Sequence, residues 1–351
     1  MNRTTKILLT AGAAWMTALL ATGCDKQPAA GEGGGQEDLA IRVTTQVGGT
    51  MRSSHGTGAP ESLKEFDLLV ETFVGGVNPW GSDHGYNYNN SKFTYDSGSD
   101  EWTPSVAASK MLWYNSTTKV RVAAMAPCRE EGTYSIGWDP RVSRLLCSDT
   151  ESSEYVTFEV QPEQKRDDYG SDLLFYYKNN VTPADLLQGG ELPVVFQHML
   201  SNLVITFKLG TEFNQSGVPA EDIISDVVVS GTKRTVRFVK DSDDALSITA
   251  IGDASDVKSY NASWNSAADK TGNCTSMYEC ILAPQTVAAD QFKLNFKVDG
   301  RGYNWTLPSE YVFTGNYIHN LSLRVGKDAV VLDGVSTTKW DTVDGGTIET
   351  D

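Results

Sequence analysis

The sequence predicts an all-β protein built from two tandem antiparallel β-sandwich domains. Short stretches that alternate apolar and polar residues recur along the chain, and clusters of Gly, Pro, Asn and Asp separate them. The chain contains 32 Gly, 14 Tyr and 8 Trp, a composition that favours strands and turns. Helical runs long enough to connect parallel strands are missing from the pattern, so crossover helices are not expected. A length of 351 residues accommodates two cores.

The N-terminus predicts export and lipidation. Arg3 and Lys6 precede a 15-residue apolar stretch at residues 7–21, which is shorter than the roughly 20 residues of a membrane-spanning helix. Residues 20–24, Leu-Ala-Thr-Gly-Cys, resemble the bacterial lipobox, in which the Cys carries diacylglycerol and becomes the new N-terminus. We therefore expect lipidation of Cys24. The alternative is an ordinary secretory signal in which this Cys is incidental.

The predicted organisation begins with a signal peptide at residues 1–23. Residues 24–38 are rich in Gly and charge and lack apolar periodicity, so they are predicted to form a flexible tether. An N-terminal sandwich is predicted over residues 39–185 and a C-terminal sandwich over residues 186–351. The boundary lies next to Pro183 and a Gly pair, which are typical of connections between domains.

The first strand of the N-terminal half has the clearest pattern. Leu39, Ile41, Val43 and Val47 alternate with polar residues, as in a strand that buries one face. Further strands of this half are predicted at residues 65–74, 120–126, 155–160 and 172–177.

The C-terminal half repeats this style. Leu203, Ile205, Phe207 and Leu209 share one face of a strand and define a predicted core wall. A hairpin is predicted at the Asp-Gly turn of residues 299–300. The other strands are predicted at residues 194–198, 226–229, 236–239, 246–250, 278–282, 292–298, 302–307, 317–325 and 329–332.

Composition argues against several function classes. The chain has 29 Lys and Arg against 45 Asp and Glu, a net charge of −16, so nucleic-acid binding is not expected. Four His leave little material for metal or acid/base chemistry, and neither a metal site nor a cofactor is predicted. Residues 81–85, Gly-Ser-Asp-His-Gly, lack the strand-to-helix elbow that a catalytic Ser needs. We therefore predict that the protein is not an enzyme.

Four cysteines besides the lipobox Cys suggest disulfides in an exported protein. They are Cys128, Cys147, Cys274 and Cys280. Three connectivities are open, and the local one joins Cys128 to Cys147 and Cys274 to Cys280. The alternative is free buried thiols.

A polar stretch at residues 75–109 is dotted with aromatic residues. Its Trp80, Tyr86, Tyr88 and Trp102 could stack on sugar rings, which makes a surface glycan-binding lipoprotein the alternative function. The other interpretation is a long loop that these rings pin to its own domain.

Several segments resemble a known family in their order along the chain. They are Trp113 with residues 120–127 (VRVAAMAP), residues 171–176 (SDLLFY), residues 194–203 (VVFQHMLSNL), residues 280–286 (CILAPQT), residues 313–321 (FTGNYIHNL) and Trp340. Together they resemble the fimbrillin family, the pilin-like lipoproteins of Bacteroidia-type (type V) fimbriae. The resemblance runs from about Leu39 to the end of the chain.

The resemblance implies a structural function. Members of the family have two transthyretin-like, Greek-key sandwich domains and polymerise by strand exchange with other fimbrial subunits. They are outer-membrane lipoproteins exposed at the surface, where a host protein or a glycan can act as receptor. A protease cuts after an Arg near the end of the first strand and so opens a groove for a neighbour's strand. Arg52 in Thr-Met-Arg-Ser-Ser is the first candidate for that position, and Arg42 is the second.

Strand exchange is physically workable for this sequence. Residues 39–47 span about 30 Å at roughly 3.3 Å per residue, and burial of their four apolar side chains contributes about 6 to 12 kcal/mol at roughly 1.5 to 3 each. Removing such a strand exposes an apolar trough and unpaired backbone groups, and a partner strand satisfies both. The alternative is that the strand completes the sandwich permanently, as in a membrane-anchored end subunit.

Overall fold

The computed structural model describes residues 40–47, 63–72, 90–99, 101–104, 111–128, 157–166, 169–240 and 246–340. The predicted signal peptide, the tether and Cys24 lie outside these residues. Within them the chain forms β1 (Val43–Val47), β2 (Glu65–Thr72), β3 (Asn90–Asp96), β4 (Glu101–Pro104), β5 (Val120–Ala126), β6 (Thr157–Glu159), β7 (Leu174–Val181), β8 (Leu192–His198), β9 (Ser201–Leu209), β10 (Ile224–Lys240), β11 (Leu246–Lys258), β12 (Tyr260–Asn265), β13 (Thr275–Leu282), β14 (Gln285–Val287), β15 (Lys293–Val298), β16 (Arg301–Thr306), β17 (Tyr311–Phe313), β18 (Tyr317–Val325) and β19 (Val330–Lys339).

Helices contribute little to the described residues. One short helix, α1 (Pro183–Leu186), lies between β7 and β8, and three 3₁₀ turns cover Tyr169–Ser171, Thr211–Asn214 and Glu221–Ile223. None of the helices in the described ranges has the length and apolar character needed to cross a bilayer. The predicted all-β class is confirmed.

The first half of the chain folds around a seven-stranded sheet with the order β1-β8-β7-β5-β2-β3-β4. β8 pairs with β7 only at its last two residues, Gln197 and His198, and its earlier residues lie away from β7. As a result β8 and β1 cover the inner face of the other strands, and Phe196 of β8 meets Phe66 of β2 with ring centroids 5.4 Å apart. The first core lies between these two layers.

The second half is a sandwich of two sheets. One has the order β11-β10-β15-β16, with β6 paired to β10, and the other has the order β12-β13-β9-β18-β19. The predicted wall of β9 is confirmed, because Leu203, Ile205, Phe207 and Leu209 are all buried in the second core. Phe207 packs against Phe296 of the facing sheet at a centroid distance of 4.7 Å.

A third core joins the two halves. The hairpin of β10 and β11 packs Val236 and Phe238 against the outer face of the first sheet, where Phe175 lies 5.9 Å from Phe238 between ring centroids. Gln164 adds two hydrogen bonds: its side-chain amide donates to the carbonyl of Ile281 (2.9 Å) and accepts from the N–H of the same residue (2.8 Å). Residues Leu39–Asp351 accordingly cluster as one compact unit.

The sheets do not divide at the predicted boundary between residues 185 and 186. β8 lies beyond that boundary but belongs to the first sheet, while β6 lies before it and pairs with β10. Pro183 is the first residue of α1, and Gly189 and Gly190 adopt φ of 62° and 88° in the turn that follows. These turn residues therefore connect two strands of one sheet and do not separate two domains.

Several strands are longer than predicted, and β12, β14 and β17 correspond to no predicted strand. β3 and β4 lie within the polar stretch at residues 75–109, where no strand is predicted, and β19 extends well past the predicted residue 332. β10 runs through the predicted gap at residues 230–235 and β11 extends past the predicted residue 250, because two register shifts interrupt their pairing without ending it. Gly231 lies at one of these shifts with φ of 87°. A Cβ at this residue would come within 1.9 Å of the carbonyl oxygen of Gln291.

Candidate functional site: the first edge strand

β1 has the two-faced structure that its sequence predicts. Ile41, Val43 and Val47 are 7%, 6% and 5% exposed and point into the first core, while Thr44 and Gln46 face solvent. Leu39, the fourth apolar residue of the predicted strand, lies outside the described residues. The strand therefore seals one side of the core with alternate side chains.

Backbone hydrogen bonds attach β1 to its neighbours. It pairs with β8 in parallel, with Val43 opposite Leu192 and Val47 opposite Phe196, over five residue pairs. The N–H of Leu192 donates to the carbonyl of Arg42 (2.8 Å), and the N–H of Ile41 donates to the carbonyl of Met111 (2.9 Å).

The other flank of β1 meets β4, the opposite edge of the same sheet. The indole Nε1 of Trp102 donates to the hydroxyl of Thr45 (3.1 Å), and the indole packs edge-on against Phe66 at a centroid distance of 4.8 Å. β1 thus closes the gap between β8 and β4. Without it, the apolar first core and the backbone edge of β8 would face solvent.

This use of Trp102 bears on the predicted glycan surface. Its ring is half-buried against the first core, and its centroid lies 5.3 Å from that of Tyr95, so the ring takes part in packing. Trp80, Tyr86 and Tyr88 lie outside the described residues. For Trp102, the interpretation of a ring that pins its own segment fits the contacts.

The energetic contribution of β1 and the adjoining Ile41 follows from their buried side chains. Ile41, Val43 and Val47 together contribute about 5 to 9 kcal/mol at roughly 1.5 to 3 kcal/mol each, an upper bound because unfolded chains already bury some surface. This is comparable with the whole stability of an ordinary domain. An emptied groove would therefore bind a replacement strand with a large driving force.

The two candidate cleavage positions differ in their effect on β1. Arg42 is exposed, but it precedes β1 and its carbonyl is tied to β8. A cut after Arg42 would leave Val43–Val47 attached to the rest of the chain. Arg52 lies outside the described residues, on the C-terminal side of β1, where a cut would separate the whole strand from the body.

The predicted bridge between Cys274 and Cys280 is wrong. Both are free, buried thiols that face the second core, and burial raises the pKa of the Cys280 thiol. They lie six positions apart along one extended segment, which places them about 20 Å apart at roughly 3.3 Å per residue, whereas a disulfide needs Cα atoms within about 7 Å. Cys128 is a free, half-buried thiol whose pKa is raised by burial and by the nearby Asp67 carboxylate. Cys147 lies outside the described residues.

Asp172, His198 and Trp340 form a buried cluster whose assembly the sequence does not predict. The Nδ1 of His198 lies 2.8 Å from Oδ1 of Asp172, and its imidazole stacks on the indole of Trp340 with centroids 3.8 Å apart and planes at 3°. Each of these residues belongs to one of the family-like segments, but nothing in the sequence indicates that the three segments meet. His319 is a second buried histidine, whose Nε2 accepts from the N–H of Thr314 (3.0 Å).

Comparisons with known proteins agree with this architecture. A family model described as fimbrillin-like matches residues 76–340. A candidate cell adhesion protein from Bacteroides ovatus is similar over 87% of this chain and 99% of its own, with a TM-score of 0.55 and 13% identity. Another from Bacteroides uniformis is similar over 86% of this chain and 98% of its own, with a TM-score of 0.51 and 14% identity. At these identities the likeness is one of fold. A comparison with curated protein sequences finds no significant match.

Proposed function

The chain belongs to the fimbrillin-like family, and we propose that this fimbrial protein joins other fimbrial subunits by exchange of its first strand. Membership identifies a subunit or adhesin of a cell-surface fimbrium. The proposal adds the mechanism: β1 leaves its place between β8 and β4, and a strand of a neighbouring subunit takes that place.

One observation carries this proposal: β1 is an edge strand that also fills the core. Edge strands can leave a sheet without breaking the ladders of the remaining strands. Because β1 and the adjoining Ile41 bury three apolar side chains, departure of this segment would create a groove with both unpaired backbone groups and apolar pockets. A strand that alternates apolar and polar residues satisfies both requirements at once.

We further propose how the strand is released and where the protein resides. Processing occurs after Arg52, because that cut separates all of β1, whereas a cut after Arg42 does not. Lipidation of Cys24 holds the unprocessed chain at the outer membrane. The protein acts without catalysis or cofactor, and its receptor is a host protein or glycan.

Surface material from cells that express single variants tests the mechanism. Unheated detergent gels of the wild type should show a ladder of high-mass species, and Arg52→Ala should abolish it. Arg42→Ala is the matched control and should leave the ladder intact. A ladder that survives in Arg52→Ala would refute the proposed cleavage position.

Mass spectrometry of the same material locates the N-terminus. A subunit of the fimbrial shaft should begin just after the cleaved Arg. If every molecule begins at lipidated Cys24 and no ladder forms, the chain is not a shaft subunit, and β1 stays in place as in an anchoring subunit.

A further inference from the structure

β8 depends on β1 along most of its length. Five of its residues, Leu192–Phe196, pair with β1. On the other side, its register with β7 is confined to Gln197 and His198. Once β1 has left, the ladder that remains on β8 therefore lies at its C-terminal end.

That end is the place where the buried polar cluster lies. Asp172, His198 and Trp340, here termed the His198 joint, come from the segment before β7, from the end of β8 and from the residue after β19. Asp172 and His198 have fully buried side chains, and Trp340 is 3% exposed. The end of β8 is therefore fixed by one residue from the first half of the chain, Asp172, and by one from the end of the second half, Trp340.

Backbone hydrogen bonds reinforce the same point. The N–H of Met199 donates to the carbonyl of Leu173 (2.9 Å) next to Asp172. Asn316 links the corner after β8 to the end of β19, because its N–H donates to the carbonyl of Leu200 (2.8 Å) and its carbonyl accepts from the N–H of Trp340 (2.8 Å).

The chemistry of the joint suits a fixed geometry more than maximal stability. A buried carboxylate and imidazole are costly to desolvate, and apolar residues of similar volume would often be at least as stabilising. Among the described residues, Oδ2 of Asp172 and Nε2 of His198 have no hydrogen-bond partner. A directional bond of 2.8 Å combined with a parallel ring stack fixes both the position and the rotation of His198.

We propose that the His198 joint positions β8 as a wall of the groove while β1 is absent. This inference rests on the proposed function, since it concerns the interval between the loss of one strand and the arrival of the next. Leu192, Val194 and Phe196 would otherwise turn into the vacated trough and close it. Asp172, His198 and Trp340 are thus positioning residues that act on the incoming strand through β8.

The test uses the full chain with a site for a sequence-specific protease inserted between β1 and β2. After cleavage, β1 remains bound without a covalent link. Its dissociation is followed on adding an excess of fluorescent peptide of residues 39–52, and rebinding is followed after the released strand is removed. Because the probe is the chain's own strand, the result does not depend on exchange between subunits.

Variants at one position separate positioning from packing. Trp340→Leu keeps an apolar side chain but loses the flat stack, and we expect rebinding to slow about tenfold because the fraction of molecules with an open groove falls to about a tenth. Dissociation should change less than about twofold, because the contacts of β1 are intact. Trp340→Phe, which retains a ring, should rebind as the wild type does. Trp305→Leu, in the second core, is the matched control and should also rebind normally.

Equal rebinding by Trp340→Leu and Trp305→Leu would overturn the proposal. If Trp340→Leu does not fold, hydrogen exchange on the cleaved wild type decides. After removal of β1, the amide of Leu192 should exchange rapidly and the amide of Met199 should stay protected; loss of protection at both would overturn the joint's role. Failure of the cleaved wild type to rebind any strand would instead count against strand exchange itself.

Discussion

Weakening β1 from within should detach it without unfolding the rest of the chain. The double substitution Val43→Ala and Val47→Ala removes four buried carbon atoms from side chains that are 6% and 5% exposed. At about 0.8 kcal/mol per buried methylene, the pair weakens attachment of β1 by about 3 kcal/mol before any cavity term. Since every 1.4 kcal/mol is a factor of ten, detachment becomes about a hundredfold more frequent.

Amide hydrogen exchange measures this detachment directly. The amide of Leu192 donates to β1, and that of Ile41 donates from the same segment to Met111, so both should exchange about a hundredfold faster. The amide of Leu307, which donates to Phe292 in the second core, is an internal reference and should not change.

The matched control removes side chains from the other face of the strand. Thr44→Ala and Gln46→Ala alter exposed residues and should change stability by less than about 0.5 kcal/mol. The reasoning fails if the Val variant leaves exchange at Leu192 unchanged. It also fails if Leu307 accelerates equally, because β1 would then open only with the whole molecule.

Three further substitutions test other features. Trp102→Ala should lower the free energy of unfolding by about 3 to 5 kcal/mol, as for a packed aromatic. A variant with unchanged stability that loses affinity for polysaccharide in affinity gels would contradict the packing role of Trp102. Burial lowers the pKa of His319 below its ordinary value of 6.5, so stability should fall as the pH drops from 6.5 through the lower folded pKa. His319→Gln should reduce this loss of stability between pH 7 and pH 5, as measured by denaturant titration. An unchanged loss would contradict the role given to His319. Gly231→Ala should lower the stability measured by thermal unfolding by more than about 2 kcal/mol, because the added Cβ would clash with backbone atoms. Gly252→Ala is the matched control: its φ is similar but nothing lies within 4 Å of the added Cβ, so it should cost about 1 kcal/mol. Equal losses in the two variants would contradict the clash at Gly231.

Local pattern predicted the strands that bury one face. β1, β15 and the second half of β9 each have a polar face, so the alternation of their side chains is visible in the sequence. β5 was placed correctly by its apolar run, although all seven residues are buried. It lacks alternation because one face lies in the first core and the other in the third.

The pairing partners could not be predicted from such patterns. β1 and β8 are about 150 residues apart in the numbering, and their parallel register follows from the packing of the whole first core. The His198 joint likewise unites residues from three distant segments. The even number of cysteines and the short sequence separation suggest a disulfide between Cys274 and Cys280. In an extended strand, however, residues six positions apart are too far from each other to be bridged.

The third core has a consequence for the order of folding. The outer face of β5 is completed by Val236 and Phe238, which follow it by more than a hundred positions. A chain that crosses a membrane with its N-terminus leading would present an unfinished first sheet until the β10 and β11 hairpin has emerged. In a chain exported in this order, the first sheet would be completed only after the C-terminal half had followed it across the membrane.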